Sequence, residues 1–432
     1  MANRRKILIL LVVASLLLTG CGLRTVDQLY CLPKRSEAYD NLQAVIDKAM
    51  DGLEYSTPLY GENRHVVQVA DLDGDGVDEY LLFAKDDSEK PLKILIFCQL
   101  ASGYVLMDTI EGYGFAFDFV SYAQMDDRPG VELIVGRLLT DDVMRSVSVY
   151  RFSSGFSRQL LSTGYVRHVI CDLNADGISE LFLLNHGESE DSNGVAVVYN
   201  YENGAFQRSV QLPLSKPASS FRRVLLSAIK GGRPAVYVTT VHNQTTLSTD
   251  VFAVVDGEFC VTSQNILTHS LNNYFVFPED MNADGVVDLP EPLPVYSHPD
   301  SLSQQNLLRW SCTDRYGNLS TVMYTYHEME ENWYFRIESG WVNSLSILQE
   351  ENVTSFYLME EDSLQKLFTI TTLTDADRLE QAQQPGRLIL YSNESVIYVA
   401  DLEPVAAEYG VTRDYMIARF TPIRREIITE ED

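Results

Sequence analysis

The sequence lacks the cysteine patterns that hold a zinc ion or build a disulfide framework. Its 432 residues include six cysteines, and no two of them form a CxxC pair. Cys98, Cys171, Cys260 and Cys312 lie far apart in the chain, which argues against both kinds of site. We expect these four residues to be small buried hydrophobic side chains in strands.

Signatures of catalysis are also missing. The sequence has no HExxH motif, no GxSxG motif, no phosphate-binding P-loop and no GxGxxG dinucleotide fingerprint. Its seven histidines are scattered from position 65 to position 327, without the spacing of metal ligands. The sequence therefore favours a non-catalytic protein. The alternative is a surface enzyme that degrades polysaccharide, or an accessory subunit of one, built on the same fold.

Basic residues are in the minority. The chain has 33 Lys and Arg against 61 Asp and Glu, which gives a formal net charge of −28. Three of the positive charges lie in the first twenty residues, so removal of that segment takes the charge of the remaining body to about −31. A body this acidic argues against binding to nucleic acid or to anionic lipid through its overall field.

The first twenty residues have the layout of an export signal. Basic residues at positions 4–6 precede an apolar stretch at 7–18, which is too short for a permanent membrane span. The following Leu-Thr-Gly-Cys at 18–21 matches the bacterial lipobox. We expect cleavage before Cys21, lipid of the palmitate type on its thiol, and an extracytoplasmic body anchored to the cell membrane. An ordinary signal peptide and an N-terminal membrane anchor are the alternatives.

Residues 21–55 are predicted to form the lipid-anchored tether and one amphipathic helix. Ser36 is a suitable N-cap, and apolar residues recur at helical spacing from Tyr39 to Met50. These features place the helix at about 37–51, with its apolar face packed on the following domain.

An internal repeat occupies the middle of the chain. Five copies start at positions 71, 124, 172, about 227 and 280, so the period is close to fifty residues. A regular period of this length, with several strands in each unit, is typical of a β-propeller or a similar array. The three strongest copies are acidic loops at Asp71–Glu79, Asp172–Glu180 and Asp280–Asp288.

The pattern between the loops predicts strands. β-branched and aromatic runs follow the loops, and turn residues such as Glu202-Asn-Gly204 end them. We therefore expect a mostly β chain: a propeller of about seven blades, with repeats over 56–300. The β-rich region 301–432 supplies the last blades or forms a small α+β domain, with a short helix near 375–383. Blades are favoured because a ring must close.

The acidic loops have the oxygen spacing of a cation site. Side-chain oxygens stand at loop positions 1, 3, 5 and 9, a glycine at position 6 permits a sharp turn, and position 7 offers a backbone carbonyl. Calcium takes six to eight oxygen ligands and suits this pattern, with magnesium second. Position 12 is Leu82 in the first loop and Leu183 in the third, which opposes an EF-hand. The predicted ligands are Asp71, Asp73, Asp75, Val77 and Glu79; Asp172, Asn174, Asp176, Ile178 and Glu180; and Asp280, Asn282, Asp284, Val286 and Asp288.

These three loops resemble FG-GAP/VCBS-type repeats, the calcium loops of integrin-α-like β-propellers, and the chain as a whole resembles bacterial surface lipoproteins. The resemblance covers about residues 60–300. It implies a calcium-stabilised propeller with a binding or adhesive role at the cell surface, and it does not imply catalysis. The expected partner is a glycan or a protein that the sequence does not name, with no nucleic acid.

Two copies of the repeat depart from the ligand pattern. In the second loop Gln124 replaces the first Asp and Arg128 replaces the acid at position 5. A guanidinium there is expected to take the place of the ion beside Asp126 or Glu132. The fourth copy has lost its ligands, since residues 203–249 contain no Asp or Glu. We therefore predict three cation sites that alternate with two loops without an ion.

Overall fold

The computed structural model describes residues 37–423, except for 140–143, 190, 203, 272, 302 and 362. The predicted signal peptide, the lipid-accepting Cys21 and the tether lie outside the described residues. Within the described residues, no helix has both the length and the apolar character needed to cross a membrane.

The described residues are mostly strand, as the sequence predicts, and the strands form six antiparallel sheets. Within each sheet, most strands that follow one another in the chain pair with one another, because short turns connect them. The first sheet contains β1 (Glu54–Tyr55), β2 (Val67–Ala70), β3 (Glu79–Lys85), β4 (Leu92–Leu100) and β5 (Gly103–Gly112). The second contains β6 (Ala116–Ala123), β7 (Glu132–Leu138), β8 (Arg145–Ser153) and β9 (Phe156–Tyr165). The third contains β10 (Arg167–Cys171), β11 (Glu180–Asn185), β12 (Val195–Glu202) and β13 (Ala205–Pro213).

The remaining three sheets continue this order. The fourth contains β14 (Phe221–Ile229), β15 (Arg233–Asn243), β16 (Thr246–Val255) and β17 (Glu258–His269). The fifth contains β18 (Leu289–Pro294), β19 (Asn306–Thr313), β20 (Leu319–Glu328), β21 (Trp333–Ile337) and β27 (Phe420–Pro422). The sixth contains β22 (Leu345–Glu350), β23 (Val353–Glu360), β24 (Ser363–Leu373), β25 (Leu388–Ser392) and β26 (Ile397–Leu402), with β26 between β24 and β25.

Among the described residues, helices are few and short. The α-helices are α1 (Glu37–Ala49), α2 (Arg378–Ala382) and α3 (Arg413–Arg419), and 3-10 helices cover Ala218–Ser220, Ser339–Trp341 and Pro404–Tyr409. Helix α1 agrees with the helix predicted at 37–51, and α2 lies within the helix predicted near 375–383. Helix α3 is not anticipated by the sequence analysis; it begins after Thr412, whose hydroxyl accepts a hydrogen bond from the backbone N–H of Tyr415.

Each sheet packs face to face on the next sheet in the chain. Successive side chains of a strand point to opposite faces, so one strand contributes to two separate cores. On β3, Phe83 packs towards the second sheet, where its ring meets Phe117 edge-on at 5.2 Å, and the neighbouring Leu82 packs on the other face. The rings of Phe182 and Phe252 similarly pack between the third and fourth sheets, with 5.4 Å between ring centroids. Five such cores connect the six sheets in sequence order.

A helix covers the outer face of each end sheet. Leu42 and Ile46 of α1 pack on Leu95 and Phe97, on the face of the first sheet opposite the second. Ala382 of α2 packs on Val399 and its neighbours, on the face of the sixth sheet opposite the fifth. The apolar surface of both end sheets is therefore partly buried by local helices.

The C-terminal third supplies most of the fifth and sixth sheets. The predicted boundary near residue 300 falls between β18 and β19, which pair from Leu289 opposite Ser311 to Pro294 opposite Asn306. Three aromatic residues of this region, Tyr326, Trp333 and Trp341, are buried in the core between these two sheets.

Candidate functional sites

The repeat loops connect strands in a common register. The loop links β2 to β3 in the first sheet, β6 to β7 in the second and β10 to β11 in the third, and its last residue pairs with the residue just before the loop. The pairs are Ala70 with Glu79, Ala123 with Glu132 and Cys171 with Glu180. In the fifth copy an isolated bridge between Glu279 and Asp288 closes the loop ahead of β18. The prediction that these are loops between strands is confirmed for the first three copies.

The acid at position 9 is buried and anchors each loop. One carboxylate oxygen accepts a hydrogen bond from the backbone N–H of position 2: Leu72 to Glu79 at 2.8 Å, Leu173 to Glu180 at 2.7 Å and Met281 to Asp288 at 3.2 Å. The same bond, from Met125 to Glu132 at 2.9 Å, is present in the second loop, whose ligand pattern is broken. This bond therefore belongs to the loop itself and engages only one of the two carboxylate oxygens.

The three acidic loops share a second set of hydrogen bonds. The aspartate at position 1 accepts the N–H of the glycine at position 6, at 3.0 Å in the first loop and 2.8 Å in the third and fifth. The aspartate at position 5 accepts the N–H of position 7, from Val77, Ile178 and Val286, at 2.8 to 2.9 Å. The backbone N–H groups thus hold the carboxylates of one loop on the same side of the turn.

Carboxylates converge in the first and third loops. Ligand atoms of Asp71, Asp73 and Glu79 lie within 4.8 Å of one another, and so do those of Asp172, Asp176 and Glu180. In the third loop the amide nitrogen of Asn174 donates to both Asp176 and Glu180, at 2.9 and 2.7 Å. Asn282 donates to Asp284 at 2.8 Å in the fifth loop, where Asp288 is one methylene shorter than a glutamate.

Burial and mutual repulsion raise the pKa of the position-9 acids. Burial is the larger cause for Glu79 and Glu180, whose pKa rises to about 7, and the neighbouring aspartates of each loop add to it. The pKa of Asp288 rises to about 6 for the same reasons. Carboxylates in this environment are stabilised by a bound cation, and hard oxygen ligands of this kind suit calcium.

The second loop holds a guanidinium instead. The residue that pairs with its acids is Arg151 on β8, and not the Arg128 expected from the sequence. Arg151 forms an ion pair with Asp126, and its Nε lies 3.3 Å from Oε1 of Glu132. All three side chains are at least nine-tenths buried. Because Arg151 comes from a different strand, the loop motif alone does not reveal it.

The fourth copy is a tight turn between β14 and β15. Ile229 pairs with Arg233, and Gly231 and Gly232 have φ values of 101° and 77°. Glycine reaches this region of backbone conformation without steric cost. The copy therefore keeps the strand connection of the repeat and has none of its ligand oxygens.

A second candidate site is a cavity of about 380 Å³ at the first strands of the second and third sheets. Its walls include the segment 60–63, residues 118–121 of β6, Arg145, and residues 165–168. The backbone N–H of Tyr60 donates to the carbonyl of Asp118 at 2.8 Å, which ties the segment to β6.

Two guanidinium groups and two carboxylates line this cavity, and of the two acids Asp118 is buried and Glu62 is exposed. The guanidinium groups of Arg145 and Arg167 both donate to the carbonyl of Val166, at 3.4 and 3.1 Å. Nε of Arg145 lies 3.8 Å from Oδ2 of Asp118, whose side chain is 4% exposed and also accepts a hydrogen bond from Tyr165. Oδ1 of Asp118 is buried and has no hydrogen-bond partner among the described residues.

His168 forms part of the cavity wall. Its ring stacks on Phe119 with 3.6 Å between ring centroids and meets Tyr165 edge-on. Burial first, and then the charges of Arg145 and Arg167, lower the pKa of His168 to about 4. The imidazole is therefore neutral at neutral pH. Burial and the charge of Arg145 also lower the pKa of Arg167.

The sequence analysis does not identify the cavity residues as a site. They come from four chain segments that are separated by up to about a hundred residues, and no local motif joins them. The available signal is weak: Arg145 and Arg167 stand at the first positions of β8 and β10 in a strongly acidic chain.

Comparison with known proteins gives no family for this chain. No family model and no curated protein match it. Among solved structures, it is similar to the rhamnogalacturonan lyase PL11 of Bacillus licheniformis, with 10% identity, a TM-score of 0.29, and coverage of 81% of this chain and 72% of the lyase. It is also similar to TolB from Acinetobacter baumannii, with 8% identity, a TM-score of 0.26, and coverage of 68% and 61%.

Proposed function

We propose that this chain is an extracytoplasmic lipoprotein, anchored to the cell membrane through Cys21, whose body is a calcium-stabilised β-propeller of FG-GAP/VCBS-like repeats. It acts as a non-catalytic binding or adhesion module. The observation that carries the proposal is the set of hydrogen bonds that the three acidic loops share. In each loop these hydrogen bonds fix the position-9 acid and the position-1 aspartate around one turn, and the loops recur at the repeat spacing.

Calcium is the cation that this arrangement of oxygen ligands fits best. Carboxylate and amide oxygens are hard ligands, and the loops add a backbone carbonyl at Val77, Ile178 and Val286. Millimolar extracellular calcium would fill loops of moderate affinity, so the proposed location and the proposed ion support each other. Isothermal titration of the purified protein should give three calcium ions per chain. A stoichiometry of zero would refute the calcium proposal.

The propeller proposal is supported by the order of the sheets. Each of the six sheets packs on the next one in sequence, as blades do. In a closed ring the outer face of the sixth sheet would meet that of the first, where α2 and α1 lie. A cryo-EM map of the protein bound to an antibody fragment would count the blades, for which the sequence predicts about seven.

The anchor can be tested in the producing cell. Radiolabelled palmitate should be incorporated into the protein and not into the Cys21→Ala variant, and the unmodified protein should fractionate with membranes. Equal labelling of both proteins would show that Cys21 is not the lipid-accepting residue.

The enzymatic alternative is favoured by one observation, the charged cavity beside Asp118. Clustered arginines next to a Tyr165–Asp118 pair could bind and polarise an acidic sugar. The test is incubation with acidic and neutral polysaccharides, followed by measurement of new reducing ends. Release that is lost in the Tyr165→Phe variant would support an enzyme, and no release would support a binding module.

A further inference from the structure

Each position-9 acid has a neighbour directly opposite it on the next strand of its sheet, at what we term the cross-strand position. In an antiparallel pair, opposed residues place their side chains on the same face, with Cβ atoms about 4.5–5.5 Å apart. Tyr80 pairs with Phe97, so the residue opposite Glu79 is Cys98. The same register gives Arg151 opposite Glu132, Asn200 opposite Glu180 and Cys312 opposite Asp288.

Of these four cross-strand residues, only that of the second loop is charged. Arg151 forms an ion pair with Asp126, at loop position 3, and its Nε lies 3.3 Å from Oε1 of Glu132, at position 9. The guanidinium also lies over the ring of Tyr201 on the third sheet, 5.0 Å from the ring centroid. A guanidinium is always charged and can engage two carboxylates at once. The second loop therefore carries a permanent cation of its own.

The other three cross-strand residues are short and uncharged, namely Cys98, Asn200 and Cys312. Their loops are the three that have the acidic ligand pattern. In the described part of the chain, no lysine or arginine forms an ion pair with the acids of these three loops. The protein thus supplies a counter-charge in the second loop and none in the other three.

This difference has an electrostatic consequence. Carboxylates held as close together as those of Asp71, Asp73 and Glu79 repel one another, and a cation among them removes the repulsion. A cross-strand guanidinium and a bound divalent ion would be like charges beside the same acids, so each would exclude the other. A loop can therefore hold an internal cation or an external one, but not both.

We propose that the cross-strand residue decides which cation each loop holds. A long basic residue supplies a permanent internal cation, whereas a short neutral residue leaves the acids to a divalent ion. Cys98, Asn200 and Cys312 are thus specificity-determining residues of the cation loops. The inference rests on the proposed calcium sites, and it adds the feature that makes one repeat dependent on metal and another independent of it.

The first loop is the closest match to the second and is the best place to exchange one cation for the other. Its positions 3 and 9 are both acids, Asp73 and Glu79. Cys98 is 9% exposed, against 8% for Arg151. Phe152 of the second sheet belongs to the same core as Cys98, and so offers an aromatic ring like the one beside Arg151. An arginine at this position would therefore find the same kinds of partner.

The test combines calorimetric titration of the purified protein with calcium and urea denaturation in chelator. Cys98→Arg should bind two calcium ions instead of the proposed three, because the guanidinium takes the place of one ion. The matched control is Cys98→Met, which has a long side chain without charge and should keep all three. In chelator, Cys98→Arg should unfold at a higher urea concentration than Cys98→Met, since only the arginine neutralises the loop acids. The two calcium ions that remain report that the variant is folded.

A second pair of variants repeats the test in the third loop, with Asn200→Arg against Asn200→Met. Three calcium ions in either folded arginine variant would overturn the proposal, and so would equal urea midpoints of the arginine and methionine variants in chelator. The calcium proposal fails separately. If the unmodified protein binds no calcium while the arginine variants are still stabilised in chelator, the calcium assignment is refuted and the neutralising role of the cross-strand residue is upheld.

Discussion

At the scale of single residues, the position-9 acid of each loop has two separable roles. One oxygen of Glu180 accepts the N–H of Leu173, and the other accepts the side-chain amide of Asn174, close to the carboxylates of its loop. Glu132 has the same first bond, from Met125, but its second oxygen faces the guanidinium of Arg151. The chain therefore contains a natural control: the same acid in the same turn, with an internal cation in place of a proposed external one.

Replacing each of these acids by glutamine should separate the two roles. Glu180→Gln should reduce the rise in melting temperature that calcium causes, with little effect in chelator, because the amide still accepts the hydrogen bond from Leu173. Glu132→Gln should destabilise the protein by about 3 kcal/mol with or without calcium, because it removes one partner of a buried ion pair. Urea denaturation in calcium and in chelator measures both. An unaltered calcium effect in Glu180→Gln would remove the third loop from the proposed sites.

The raised pKa values predict a pH dependence of the calcium-free protein. Glu79 and Glu180 have a pKa of about 7 in the folded protein, against an ordinary value of 4.5. The folded state then binds protons more tightly than the unfolded state, so stability should fall as the pH rises between these two values. Melting curves in chelator from about pH 5 to pH 8 should show this fall, and saturating calcium should remove it. A calcium-free melting temperature that rises over this range would contradict the cause assigned to the shifts.

At the scale of elements, the first sheet is stabilised from both faces. Its strands place alternate residues against the second sheet and against α1, so the helix forms part of the core. Leu42 and Ile46 of α1 are each 7% exposed. A helix of this length is marginal alone in water, and most of its stability comes from this packing.

Truncating a buried residue of α1 should therefore destabilise the sheet. Leu42→Ala should lower the free energy of unfolding by about 2–3 kcal/mol, the lower part of the range for buried leucines. The matched control is Leu379→Ala on α2, where the side chain is 61% exposed and the expected loss is under about 0.5 kcal/mol. Urea denaturation measures both, and equal losses would show that α1 does not support the core.

The elements that the sequence predicts well are those with contiguous signals. The acidic loops keep their ligand oxygens within nine residues, and α1 has an N-cap and an apolar stripe. Strands such as β9 and β13 are harder to recognise, because most of their side chains are exposed or half-buried and many are polar. Arg151 and the cavity around Asp118 could not be predicted, since both depend on which strands become neighbours.

At the scale of the whole molecule, the charged groups are unevenly distributed. Carboxylates are grouped in the acidic repeat loops, and Arg145 and Arg167 both line one cavity. The described chain is an ordered series of sheets, so stabilising one loop stabilises the two sheets that pack beside it. Cation binding at three loops would therefore act on most of the array.

The most direct test of the calcium proposal is the melting temperature of the purified protein in saturating calcium and in excess chelator. A ligand that binds only the folded state stabilises it by about 2.7 kcal/mol for each site at one hundred times its dissociation constant. Three sites should therefore raise the melting temperature by many degrees, with a smaller effect from magnesium. Superimposed melting curves in calcium and chelator would contradict the proposal.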